Sequence, residues 1–161
     1  MRKLLCAFAG ALSLIVGVVS CQSDEEIKRQ KYITEGILLY QNYCANCHQP
    51  KGQGLAALYP PIANSDYLQH KDSVICLIRY GMQGPVVVNG KTYNRVMPAQ
   101  PQLSDLEVAE LVTYIYNEWG KETQLTGLNT VKSQLEKCRP KNSRGPGPLA
   151  PGLLIKYRRR R

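Results

Sequence analysis

The sequence predicts a mainly α-helical domain, and three observations carry that expectation. Apolar residues recur at helical spacing from Ile27 to Tyr43 and again from Leu106 to Trp119. Ser104-Asp105-Leu106-Glu107 forms a capping box in front of the second run, with the Ser side chain placed to cap an amide and Glu107 to reach back. The stretches between are rich in Gly, Pro and Asn, which punctuate short helices rather than build sheets. The 161 residues leave room for one modest domain once the ends are set aside.

The N-terminus reads as an export signal. Arg2-Lys3 precedes an almost wholly apolar run from Leu4 to Val19, the charged start and apolar core of a secretory signal. The run is shorter than the roughly 20 apolar residues of a spanning helix. Val18-Val19-Ser20-Cys21 resembles a bacterial lipobox, which implies that residues 1–20 are removed and that Cys21 carries lipid. More than one acyl chain makes such an anchor stable. Residues 21–30 then read as a polar tether. Within it, Ser23-Asp24-Glu25-Glu26 resembles an acidic surface-export signal or is simply a solvated linker.

The folded domain is expected over residues 31–121. Ile33, Ile37, Leu38, Tyr40 and Tyr43 place a helix that runs into Cys44. Residues 49–67 should be irregular, because Pro60-Pro61 bars regular helix. Val74, Ile75, Leu77 and Ile78 predict a short helix from Asp72 to Tyr80 that Gly81 can end. Val86-Val87-Val88 followed by Asn89-Gly90 allows a small hairpin. Leu106, Val108, Leu111, Val112, Ile115, Tyr116 and Trp119 form the last strong helix, and Gly120 can stop it. Residues 122–161 read as an extension, weakly amphipathic to 137, that passes into a basic, low-complexity tail without the apolar residues to bury a core.

The formal charge of +9 does not describe the body of the protein. Residues 21–136 hold 10 Lys and Arg against 12 Asp and Glu, whereas 137–161 hold nine Lys and Arg and no acid. The basic excess is terminal, so the body offers no nucleic-acid surface. Lys156 and the four terminal arginines suit either an anionic surface or a solvated end.

The six cysteines sort by position. Cys6 leaves with the signal, and Cys21 is the lipid site. Cys76, in an apolar helical stretch, reads as a buried free thiol rather than as the disulfide partner of Cys138. Cys44-Ala45-Asn46-Cys47-His48 is C-x-x-C-H, the attachment pattern for haem c. Two thiols at this spacing can add to the two vinyl groups of one porphyrin, and the next residue, His48, then meets the iron. A redox dithiol would want a βαβ context, and a zinc site would need more Cys or His at ligand spacing. For the second axial position the residues alone leave Met97, Met82 and His70 open, with Met97 modestly favoured by its proline-stiffened loop, Asn94-Arg95-Val96-Met97-Pro98-Ala99.

Further motifs add a resemblance. Gly36, Tyr40, Cys44-x-x-Cys47-His48 and Ala109-Glu110-Leu111-Val112-Thr113-Tyr114 look like the N- and C-terminal helices of class I cytochromes c. Tyr59-Pro60-Pro61-Ile62-Ala63, Gly84-Pro85-Val86, Asn89-Gly90-Lys91-Thr92-Tyr93-Asn94 and Met97-Pro98-Ala99 resemble a subgroup fused to copper nitrite reductases or paired with periplasmic dehydrogenases and terminal oxidases. The resemblance spans about residues 34–120. It implies a cytochrome c fold, with several helices around one covalently bound haem c and two helices crossing at Gly36. It also implies His48 and Met97 as axial iron ligands, and a hydrogen bond from His48 to the Pro60 carbonyl, with Pro61 the nearby alternative. Tyr93 and Trp119 suit either the haem pocket or ordinary core packing.

A His/Met pair closes both axial positions, so the expected function is one-electron transfer rather than enzymic catalysis. A small peroxidase or a gas binder would need an open iron. The expected partners are redox proteins (a reductase, oxidase or dehydrogenase) and a membrane reached through the lipid. The expected location is outside the cytoplasm, on a periplasmic membrane face or at the outer membrane or cell surface.

Overall fold

A computed structural model describes residues 23–140. The expected signal segment, the expected lipid site Cys21 and the basic tail from 141 onward lie outside the described residues. Five α-helices follow in order: α1 (Asp24–Tyr43), α2 (Ala45–His48), α3 (Lys71–Tyr80), α4 (Asp105–Glu118) and α5 (Leu128–Cys138). A 3-10 turn, Asp66–Gln69, precedes α3, and a two-stranded antiparallel hairpin, β1 (Val86–Val88) with β2 (Lys91–Tyr93), follows it. No helix among the described residues is long and apolar enough to cross a membrane.

α1 begins earlier than the sequence suggests, so residues 24–30, expected as a polar tether, are helical. The cause is local. Ser23 accepts the Glu26 amide as N-cap, Asp24, Glu25 and Glu26 face the positive end of the helix dipole, and Arg29 pairs with Glu26 at 2.7 Å. The acidic run therefore has a helix-starting role.

α4 is the centre of the core. Val108, Ala109, Leu111 and Val112 are fully buried, and both halves of the capping box at Ser104 and Glu107 are formed. α1 packs across α4 at Gly36. A side-chain carbon at that position would lie 2.6 Å from the Tyr114 Cβ and closer still to the Glu110 carbonyl oxygen. Only a hydrogen lets the two backbones meet there. Beside the crossing, the rings of Tyr40, Tyr114 and Trp119 cluster with centroids 5.1 to 5.5 Å apart.

The core continues past Lys121. Val131 and Leu135 of α5 are buried in it, the Tyr80 hydroxyl donates to the Leu135 carbonyl at 3.1 Å, and the Thr126 amide donates to the Thr113 hydroxyl at 2.9 Å. Cys76 of α3 and Cys138 at the end of α5 form a disulfide. This corrects the expectation of a free Cys76. In sequence Cys138 borders a tail, but the docking of α5 on α3 brings the two Cα atoms to 6.1 Å, within the span a disulfide requires.

Candidate functional site: an apolar cavity behind a C-x-x-C-H turn

The site grows from the end of α1. Cys44 caps that helix, its amide donating to the Tyr40 carbonyl, and α2 follows as a single turn. The His48 amide donates back to the Cys44 carbonyl at 2.9 Å. This turn places Cys44, Cys47 and His48 on the wall of one cavity. The Tyr40 hydroxyl donates to the Gln49 carbonyl at 2.8 Å and holds the end of the turn against the helix crossing.

Two loops bring up the remaining wall, each passing over a glycine with positive φ. At Gly54 (φ +71°) a Cβ would lie 2.6 Å from the Tyr59 carbonyl oxygen, so a larger residue would push the Pro60-Pro61 segment away. That segment places the Pro60 carbonyl oxygen 2.9 Å from Nδ1 of His48; Pro60, not Pro61, is the partner. A carbonyl only accepts, so Nδ1 carries the hydrogen and Nε2 keeps its lone pair. Burial lowers the His48 pKa, with the Pro60 bond acting in the opposite direction. The ring is therefore neutral, as a metal ligand must be.

At Gly81 (φ +71°) a Cβ would meet the Met97 carbonyl oxygen and the Ala99 amide. The Met97 loop lies directly over it. Met82 and Met97 exchange two backbone hydrogen bonds of 2.9 Å, and the Gln100 amide donates to the Ile78 carbonyl at 3.1 Å. The backbone of Met97 is thus pinned on both sides. The Asn89-Gly90 turn of the hairpin has positive φ at both residues, 51° and 76°, and carries Val86, Val88 and Tyr93 to the cavity.

The cavity opens to solvent through a mouth on one side. Its wall is mostly apolar, with Ile62, Leu68, Val74, Leu77, Ile78 and Ile115 among the contributors. Burial, reinforced by neighbouring Cys47, pushes the Cys44 thiol up to about 12. Among the described residues, no group of three or more His, Cys, Asp or Glu side chains is placed to hold a metal ion. Two adjacent thiols, one neutral imidazole and a mostly apolar enclosure fit a porphyrin.

Of the residues singled out in sequence, Cys44, Cys47, His48, Pro60, Tyr93, Met82 and Met97 all line this cavity. His70 does not; it stands at the N-cap of α3 and meets the Tyr67 ring edge-on. Trp119 also lies off the cavity wall, packed on Tyr40, Tyr114 and Gly52. Sequence reasoning did not single out Arg95, Ser65, Tyr67 or Gln100, which are on the wall. Only the position of Arg95 two residues before Met97 pointed to it.

A helical core built around such an enclosure, with a C-x-x-C-H turn in its wall, defines a c-type cytochrome domain. Residues 32–115, just over half of the chain, match the family model described as cytochrome C oxidase, cbb3-type, subunit III. A cytochrome c-552 of Thermus thermophilus is 31% identical over 147 residues, covering 88% of each chain. A second cytochrome c-552 of the same species is 33% identical over 113 residues, 66% of this chain and 86% of its own. The chain belongs to the c-type cytochromes, electron-transfer proteins that bind haem c covalently.

Proposed function

We propose that this protein is a lipid-anchored, mono-haem electron carrier working between redox proteins outside the cytoplasm. In this reading Cys44 and Cys47 would hold the haem by thioether links, and His48 and Met97 would ligate its iron. The observation that carries it is the cavity itself, which gathers Cys44, Cys47, a Pro60-bonded His48 and a backbone-pinned Met97 around one enclosure. When bound, haem c supplies a one-electron iron couple whose potential a thioether ligand raises. The chain's own work is to hold, enclose and shield. Pro60 sets the tautomer and orientation of His48. The Met82 bridge keeps Met97 from swinging away, and the apolar wall excludes water.

Electron exchange also needs a contact surface. Tyr43 and Val96 line the cavity and remain exposed at 39% and 59%. Exposed Leu55 and Leu58 border the Pro60 loop, and exposed Val87 lies between two lining residues. This apolar rim suits a redox partner docking over the mouth. The oxidase-subunit description of the matched family favours a terminal oxidase among the expected partners. The Cys76–Cys138 disulfide agrees with maturation in an oxidising compartment, and the lipobox at Cys21 supports tethering there.

The test uses the matured, haem-loaded protein. Met97→Ala should abolish the methionine-to-iron charge-transfer band and let the ferrous form bind carbon monoxide, while the parent and Met82→Leu keep the band and bind none. Loss of the band in Met82→Leu alone would assign the ligand to Met82 and overturn this reading. A Cys21→Ser variant should leave the membrane fraction; its retention there would refute the lipid anchor.

A further inference from the structure

Among the described residues, the cavity wall carries a single side chain that is charged at neutral pH, Arg95. It stands between β2 and Met97, on the exposed margin of the wall. Its guanidinium makes no hydrogen bond or ion pair with any described residue. The arginines at 29 and 79, by contrast, pair with Glu26 and Asp105, each at 2.7 Å. The non-aromatic polar side chains that share the wall are uncharged and bond within the protein. His48 is bonded to Pro60, Ser65 accepts the Tyr67 amide at 3.2 Å, and Gln100 accepts from Gln102 at 2.6 Å.

The haem that this family binds brings two propionate carboxylates. An otherwise apolar enclosure cannot take up an ionised carboxylate without a partner, and a guanidinium offers a planar pair of donors that matches one. We propose that Arg95 binds a haem propionate at the mouth of the cavity. This rests on haem being the occupant, but not on which methionine ligates the iron. The exposed margin is the place where a carboxylate remains partly hydrated and one cation is enough to hold it. The same cation offsets the negative charge of the propionate, which otherwise favours ferric iron, so Arg95 raises the midpoint potential.

Arg95→Gln and Arg95→Lys would be compared with the parent, all haem-loaded, by redox titration and by resonance Raman of the propionate bending modes. Arg95→Gln should shift a propionate band and lower the midpoint potential, with the methionine charge-transfer band unchanged. Arg95→Lys should keep most of the potential but still shift the band, because an ammonium cannot form the paired contact. Propionate bands that stay in place in Arg95→Gln overturn the proposal, whatever the potential does. A parent protein that carries no covalent haem would refute the underlying haem reading instead, so the two failures are separable.

Discussion

Replacing both Cys76 and Cys138 by alanine should destabilise the domain by about 4 kcal/mol. The bond joins residues 62 apart in sequence, and closing a loop of that length in the unfolded chain accounts for about 4 kcal/mol of entropy. The contacts that dock α5 survive the change. Val131 and Leu135 remain in the core, and the Tyr80 hydroxyl still meets the Leu135 carbonyl. The loss should therefore appear mainly through the unfolded state, with α5 still helical. Neither cysteine is on the cavity wall, whereas their neighbours Val74, Leu77 and Ile78 are. The haem absorption spectrum and the charge-transfer band should accordingly stay at parental values. Guanidinium denaturation of the haem-loaded protein, followed at the haem band and by circular dichroism, measures the effect. A double variant within about 1 kcal/mol of the parent would refute the entropic argument. Two alkylatable thiols in the mature protein would refute the bond.

Two further outcomes test the core. Gly36→Ala should destabilise by about 2 kcal/mol in the same denaturation assay, since overpacking against backbone costs up to about 3 kcal/mol and the helix-propensity gain returns about 1; a variant as stable as the parent would show that the crossing can yield. Burial, with Glu35 and Glu107 adding to it and Lys31 opposing, raises the pKa of Glu110. A raised acid pKa means that the folded state holds the proton more tightly, so the stability linked to Glu110 is full below the unfolded value and lost as pH rises through the folded one. Glu110→Gln should therefore flatten the decline of stability with pH in that window and be more stable than the parent at pH 7. Denaturation midpoints measured across the acid range check this, and parallel curves would rule it out.

The chemistry of this protein was legible in its sequence because it is local. A C-x-x-C-H turn spans five residues, the Ser104 capping box four, and the Asn89-Gly90 turn two, and each works through bonds to near neighbours. The same locality made the longer helices of residues 31–121 visible; the start of α1, where a cap and three acids look like linker until their amides are counted, and α5, which read only as a weakly amphipathic extension, were not. Tertiary structure decided what depends on distance between remote segments. It chose the Pro60 carbonyl over that of Pro61 for His48, set Trp119 behind the cavity, and left Arg95 on the wall without a partner among the described residues. It also joined Cys76 to Cys138, because only the docking of α5 on α3 closes a separation of 62 residues to 6.1 Å between Cα atoms. Sequence spacing carries no information on such a closure. The free energy that drives it comes from burying Val131 and Leu135 against the whole core, and not from any neighbour along the chain.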